Sequence, residues 1–250
     1  MFKKILLVFS ASACLVACKK AETTPSNTTT TSKDTTQTSI AKYGAGVTDI
    51  DGNKYKSVII GTQEWMGENL KVSKYHDGSS IPNVVDNVEW SKLNTAAFCN
   101  YNNSDSIGKI YGKLYNWYAV NTSNLCPTGW HVPTEIEWDK LVNYLGGDSV
   151  AGVKIKEIGI THWNTSNIEA TNTSLFTALP NGYRSYSGNF SNLGKMTNWW
   201  SSTETKEANS SGGLQYCLMS NQTLNPKYRN FLGKGGEYKV HGISVRCIKN

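Results

Sequence analysis

Cysteine, histidine and carboxylate side chains are the groups in this chain able to cut, transfer or ligate, and their spacing argues against most of those uses. No two of Cys14, Cys18, Cys99, Cys126, Cys217 and Cys247 stand two residues apart, so neither a zinc ribbon nor a dithiol redox site is encoded. His76, His131, His162 and His241 are isolated, with no second histidine at helical metal-site spacing, and are read as hydrogen-bonding or surface residues. Glu135 and Glu137 point to different sides of a helix and suit its N-terminus better than acid–base work. Asp49, Asp51 and Asn53 open like a calcium loop, but glycine stands fourth rather than sixth and Ile60 replaces the bidentate glutamate, which leaves turn chemistry. The chain has no Gly-x-Ser-x-Gly elbow, phosphate loop, Gly-x-Gly-x-x-Gly turn or His-Glu-x-x-His helix. No catalytic residue, metal or cofactor is assigned.

What remains is aromatic and amide content in segments read as loops: His162-Trp163-Asn164, Tyr183-Arg184-Ser185-Tyr186 and Asn198-Trp199-Trp200. Flat rings beside Asn, Ser and Arg can bind sugar rings or peptide backbones, because stacking supplies contact area and amides supply direction. Trp163, Arg184, Tyr186 and Trp199 are therefore the candidate ligand-binding residues. Core packing between layers is the competing use of the same rings, and the favoured one for Trp130, Trp138 and Trp200. Arg184 and Arg246 equally suit tying loops together through buried carboxylates or carbonyls.

Composition bounds the scaffold that must hold these groups. Of 250 residues, 38% are hydrophobic and 11% aromatic, which excludes a wholly disordered chain. No apolar run reaches the roughly 18 residues of a membrane-spanning helix. The formal charge of +6 falls to +4 if Lys3 and Lys4 are removed, too mild to argue for nucleic acid. Such removal is expected. Basic Met1 to Lys4, apolar Ile5 to Phe9 and Ala11 to Ala17, and Leu15-Val16-Ala17-Cys18 resemble a bacterial lipoprotein signal peptide. The resemblance implies that residues 1–17 are cleaved, that Cys18 is lipidated, and that the partner is a lipid bilayer of the cell envelope, on the periplasmic or outer face of an outer membrane. Residues 18–42 are rich in threonine and cannot bury enough apolar surface to order themselves, so they read as a tether that reaches about 80 Å when extended. Residues 43–250 then form a single domain. Its four cysteines, Cys99, Cys126, Cys217 and Cys247, predict two disulfides in an oxidising compartment, with three pairings open.

Local patterns give an α+β domain with few helices on small antiparallel sheets and long loops. Val47 to Ile50, a turn at Asp51-Gly52-Asn53, and alternating Tyr55 to Ile60 predict a hairpin. Thr134 and Glu137 form a capping box before a stripe of Trp138, Leu141, Val142 and Leu145, and Gly146-Gly147 ends that helix. Asp148 or Ser149 caps a shorter helix towards Lys156. Leu175 to Leu179, Trp199 to Ser202, Leu214 to Met219 and Gly242 to Ile248 read as short strands, the last with Ile243, Val245 and Cys247 on one face and Ser244 and Arg246 on the other.

Eight ordered blocks, among them Ile60-Gly61-Thr62-Gln63-Glu64-Trp65-Met66, Tyr111-Gly112-Lys113-Leu114-Tyr115-Asn116-Trp117, Cys126-Pro127-Thr128-Gly129-Trp130-His131-Val132-Pro133-Thr134 and Ser244-Val245-Arg246-Cys247, resemble the Fibrobacter succinogenes major paralogous domain family over about residues 47–249. That resemblance implies an exported protein or lipoprotein of the Bacteroidota or Fibrobacterota and carries no assigned reaction. His131 to Leu141 and Trp199 to Glu204 are more distantly similar to C-type-lectin-like and sulfatase-modifying-factor-like folds, the latter including the formylglycine-generating enzymes. The metal-binding cysteine context of those enzymes is missing, as are the Glu-Pro-Asn and Trp-Asn-Asp motifs of calcium-dependent lectins. Fold and function separate readily. A non-catalytic binding or adhesion domain for a glycan or protein ligand is the expectation; an enzyme of the formylglycine-generating fold, an envelope-glycan hydrolase and a purely structural lipoprotein are the alternatives.

Overall fold

The computed structural model describes residues 41–164, 167, 169–205, 212–219 and 232–250; the leader, Cys18 and the tether through Ile40 lie outside the described residues. The first half carries β1 (Ala41–Tyr43), β2 (Val47–Thr48), β3 (Lys54–Tyr55), β4 (Ser57–Ile60), β5 (Gln63–Met66), α1 (Asn87–Ser91), β6 (Phe98–Cys99), α2 (Asp105–Tyr111), β7 (Leu114–Tyr115) and α3 (Trp117–Val120). The second carries β8 (Trp130–His131), α4 (Glu135–Tyr144), α5 (Asp148–Ile155), β9 (Asn181–Arg184), β10 (Phe190–Leu193), β11 (Met196–Thr205), β12 (Gly212–Met219), β13 (Leu232–Glu237) and β14 (Ile248–Lys249). One five-stranded sheet runs β1-β4-β5-β14-β8 and is antiparallel throughout. The other runs β10-β9-β11-β12-β13, with β9 and β11 parallel. The protein is thus α+β, with few helices and small, mainly antiparallel sheets. Ala41 and Lys42, read from sequence as the end of the tether, pair instead with Ile60 and Ile59.

Local chemistry sets the clearest elements. Thr134 Oγ1 accepts from the Glu137 amide at 3.3 Å while Glu137 Oε2 accepts from the Thr134 amide at 2.8 Å, closing the capping box. The α4 stripe of Trp138, Leu141, Val142 and Leu145 is buried throughout. Gly146 and Gly147 follow at φ +101° and +92°, and α5 starts from Gly147 rather than from a capping Asp148 or Ser149. In the β2–β3 turn, the Asp49 carboxylate accepts from the amides of Asp51 and Asn53, from Asn53 Nδ2 and from the Tyr55 hydroxyl, at 2.6 to 3.0 Å. Leu175 to Leu179 is not a strand. Leu175 and Thr177 take φ of +57° and +53°, stabilised by two hydrogen bonds between Asn172 and Thr177, and this breaks the extended run.

The segment from Gly242 to Ile248 threads between two large apolar clusters. Ile243, Val245 and Cys247 enter one, with Met66, Leu70, Tyr115, Trp117 and Trp200; Ile248 enters the other, with Trp65, Trp138, Trp163, Phe176 and Trp199. Ser244 and Arg246, on the opposite face of the run, are buried as well, so both sides of this strap are internal. The Arg246 guanidinium lies 4.1 Å from the Phe176 ring centroid and 5.7 Å from that of Trp199. It donates from Nε and Nη2 to Asn69 Oδ1, at 3.1 and 2.9 Å, and from Nη1 to the Phe176 carbonyl.

Cys126 and Cys247 form a buried disulfide across 121 residues. The second expected bridge is absent. Cys99 on β6 and Cys217 on β12 lie in different sheets as free thiols, and burial pushes each up to about 12. No helix among the described residues is long and apolar enough to cross a membrane.

Closure of so long a loop constrains the unfolded chain by about 4–5 kcal/mol, so Cys126→Ser/Cys247→Ser is expected to lose stability of that order in urea titration. Arg246→Met removes the donors of a buried network and leaves Asn69 Oδ1 and the Phe176 carbonyl short of partners; the expected loss is about 3–5 kcal/mol in the same measurement.

Candidate functional site

Three of the four sequence-predicted ligand residues are internal. Trp163 and Trp199 are 0% exposed. Trp163 donates Nε1 to the Ala178 carbonyl at 3.1 Å, and Trp199 donates Nε1 to Asn69 Oδ1 at 2.9 Å while packing against Trp138 and Phe176. Each indole thus buries its area and finds an internal acceptor, which corrects their reading as ligand contacts. Arg184 is also fully buried and is corrected likewise: its donors end on protein oxygens. Tyr186 is 56% exposed.

Arg184 nevertheless builds the surface on which Tyr186 stands. It closes β9, opposite Phe190 on β10, and turns inward. Nε donates to the Gly188 carbonyl, Nη1 to Val84, and Nη2 to Val85, Asp86 and Asn87 Oδ1, at 2.6 to 3.2 Å. The rings of Trp90 and Phe190 flank it at 4.4 and 4.8 Å. One planar fork therefore ties the 84–88 segment to the β9–β10 turn. That turn is pressed against α1: Gly188 has φ +86°, and a Cβ there would stand 2.7 Å from the Asn87 backbone.

A second connection brings in the chain after β13. Arg184 and Gly242 exchange backbone hydrogen bonds at 2.9 and 2.8 Å, which sets His241 beside the turn. His241, 6% exposed, stacks under Tyr186 with centroids 5.7 Å apart and planes 7° apart. Tyr183 and Tyr238 enclose it at 5.9 and 5.6 Å, and Tyr238 meets Tyr186 at 5.3 Å with planes tilted 59°. Tyr238 is 52% exposed. Beneath, His241 Nδ1 lies 2.9 Å from Glu237 Oε1, an electrostatic contact, and Gln215 Nε2 donates to Glu237 Oε2 at 3.0 Å. Burial raises the Glu237 carboxyl, but His241, the Tyr238 amide and Gln215 outweigh it and hold the group below its ordinary value. Two half-exposed tyrosines thus stand on a base of buried histidine and guanidinium with a part-buried carboxylate. Val85 and Val88, from the segment Arg184 holds, are also more than half exposed. Tyr238 and His241 were outside the sequence-based candidates, since no spacing signals a contact across more than fifty residues.

The other reactive groups are engaged structurally. His131 contacts Asn250 Oδ1 through Nδ1 at 2.7 Å and Glu137 Oε1 through Nε2 at 2.8 Å, leaving no ring nitrogen for Ser202, its neighbour in a 320 Å³ cleft. Burial raises the Glu137 carboxyl, yet Thr134 and His131 hold it below its usual range. His162 pairs with Glu157 at 2.8 Å, and His76 Nδ1 meets the Cys126 carbonyl at 3.1 Å. A cleft of 560 Å³ follows Tyr43 to Gly46 and Lys54 to Ser57; Tyr186 and Tyr238 line neither it nor the clefts of 450, 320 and 260 Å³. The rings of Tyr186 and Tyr238 offer a contact surface.

Arg184→Lys keeps the charge but reaches few of the five oxygens, so it is expected to cost about 2–4 kcal/mol in urea unfolding, a loss a merely solvated arginine would not produce.

No curated protein and no solved structure matches the chain. The family model described as the Fibrobacter succinogenes major domain matches residues 58–249, from β4 to β14. The chain belongs to the Fibrobacter succinogenes major domain family.

Proposed function

We propose that this chain is a cell-envelope lipoprotein whose folded domain is a non-catalytic binding or adhesion module. Acylation at Cys18 anchors it to an outer membrane, on the periplasmic or outer face, and the threonine-rich tether lets the domain sample volume beyond the bilayer. Each buried methylene of the acyl chains contributes about 0.8 kcal/mol to that anchorage. The fold is a variant of the C-type-lectin-like and sulfatase-modifying-factor-like architecture, a reading supported by the Pro133-Thr134 step that opens α4 ahead of the tryptophan-bearing β11. The Tyr186–Tyr238 pair carries the functional reading. Two large rings remain half exposed although most of the chain's aromatics are buried, and both are fixed from below, so little conformational freedom is lost on contact.

Cells displaying the full chain are expected to be retained on mucin-coated or fibronectin-coated surfaces, and Tyr186→Ala/Tyr238→Ala is expected to lower that retention about tenfold while the unfolding midpoint stays unchanged. Equal retention of the parent and the double variant on both coatings would overturn the assignment. In the same cells, Cys18→Ser is expected to move the protein out of the membrane fraction and abolish palmitate labelling.

A further inference from the structure

We infer that the ligand of the Tyr186–Tyr238 surface is a neutral hexopyranose oligosaccharide, an inference that rests on the binding-module reading above. The ring geometry limits how any ligand engages. His241 covers one face of Tyr186 in parallel at 5.7 Å, and Tyr238 approaches to 5.3 Å, so nothing can be inserted between the rings. A group held between two faces needs about 7 Å or more, twice the carbon contact distance. The ligand therefore packs on an open ring face from outside, a contact that suits a flat face of C–H groups.

The polar groups beside the rings are matched to hydroxyls. Ser185, Ser187 and Asn189 carry the turn, with Ser185 Oγ 2.8 Å from Ser187 Oγ, and Asn189 Nδ2 donating to Ser187 Oγ at 3.1 Å, all in exposed positions. Such groups donate and accept alike. No charged residue occurs from Ser185 to Asn192. Two charges close to the rings are internally engaged: Glu237 faces His241 and Gln215, and Lys239 pairs with Glu204. The turn itself therefore offers an anionic polymer no cation. The Ser185 and Gly188 amides donate within the turn, to Asn189 and Ser185, and so are not offered to a peptide backbone. A pyranose ring, flat and C–H-rich on one side with hydroxyls at its rim, fits both features.

Affinity electrophoresis of the full chain in native gels tests this, with galactomannan, glycogen and hydroxyethylcellulose as neutral probes and alginate and chondroitin sulfate as anionic ones. At least one neutral polymer is expected to retard the protein, unchanged at 0.5 M salt. Tyr186→Ala and Tyr238→Ala are each expected to weaken that retardation about tenfold, and Tyr186→Phe to retain it. Retardation by anionic polymers alone, by none of the five, or undiminished in both alanine variants would overturn the inference. If tyrosine-dependent retention on mucin or fibronectin persists while every neutral polymer fails, the binding module stands and only the ligand class falls.

Discussion

A guanidinium group held inside the protein without a carboxylate as hydrogen-bond partner is the constraint on which the rest of this structure depends. Burial pushes Arg246 down to about 9, yet the group is held by oxygens that carry only partial charge. Asn69 Oδ1 accepts from Arg246 Nε, Arg246 Nη2 and Trp199 Nε1, while its Nδ2 donates to the Tyr111 carbonyl at 2.9 Å. A carboxylate at this position would gain an ion pair and lose that donation. The amide therefore fixes the strap, β11 and the end of α2 relative to one another. Backbone bonds from Met66 and Leu70 to Cys247 and Val245, and from Trp200 to Ser244, align with it.

Arg184 repeats the solution at the other end of the strap. Carbonyl dipoles and aromatic faces again replace a counter-ion, and the segments collected are those that carry Tyr186, Val85 and Val88. Removing Arg184 would leave several carbonyls short of a donor, so the segments beneath the surface are tied to the core. The aromatic pair is therefore pre-organised, and its composition can vary with little cost to the framework.

Legibility from sequence followed the range of the forces involved. The capping box of α4, its apolar stripe, the Asp49 turn and the membership of the family rest on residues close in the chain, and all could be read directly. The fates of Trp163 and Trp199 could not. Asn164, Asn198 and His162 gave their surroundings a polar, loop-like character, but β11 is an inner strand of its sheet, and Asn198 is itself buried. Strand position within a sheet is a long-range property. The same holds for the pairing of Cys126 with Cys247 and for Tyr238, which meets Tyr186 through the fold alone. For Arg184 and Arg246, the competing idea of loop-tying through carbonyls proved correct, and only their acceptors were hidden.

Chain order gives the strap a kinetic meaning. Ile243, Val245, Arg246 and Cys247 come after every other element except β14, yet each of the two main clusters is completed by them or by Ile248. Until this segment has been delivered, two half-built interiors face solvent, the disulfide has one sulfur, and Asn69 has no guanidinium to bind. Native structure thus waits for the tail of the domain, and a chain lacking only its last few residues leaves both interiors open.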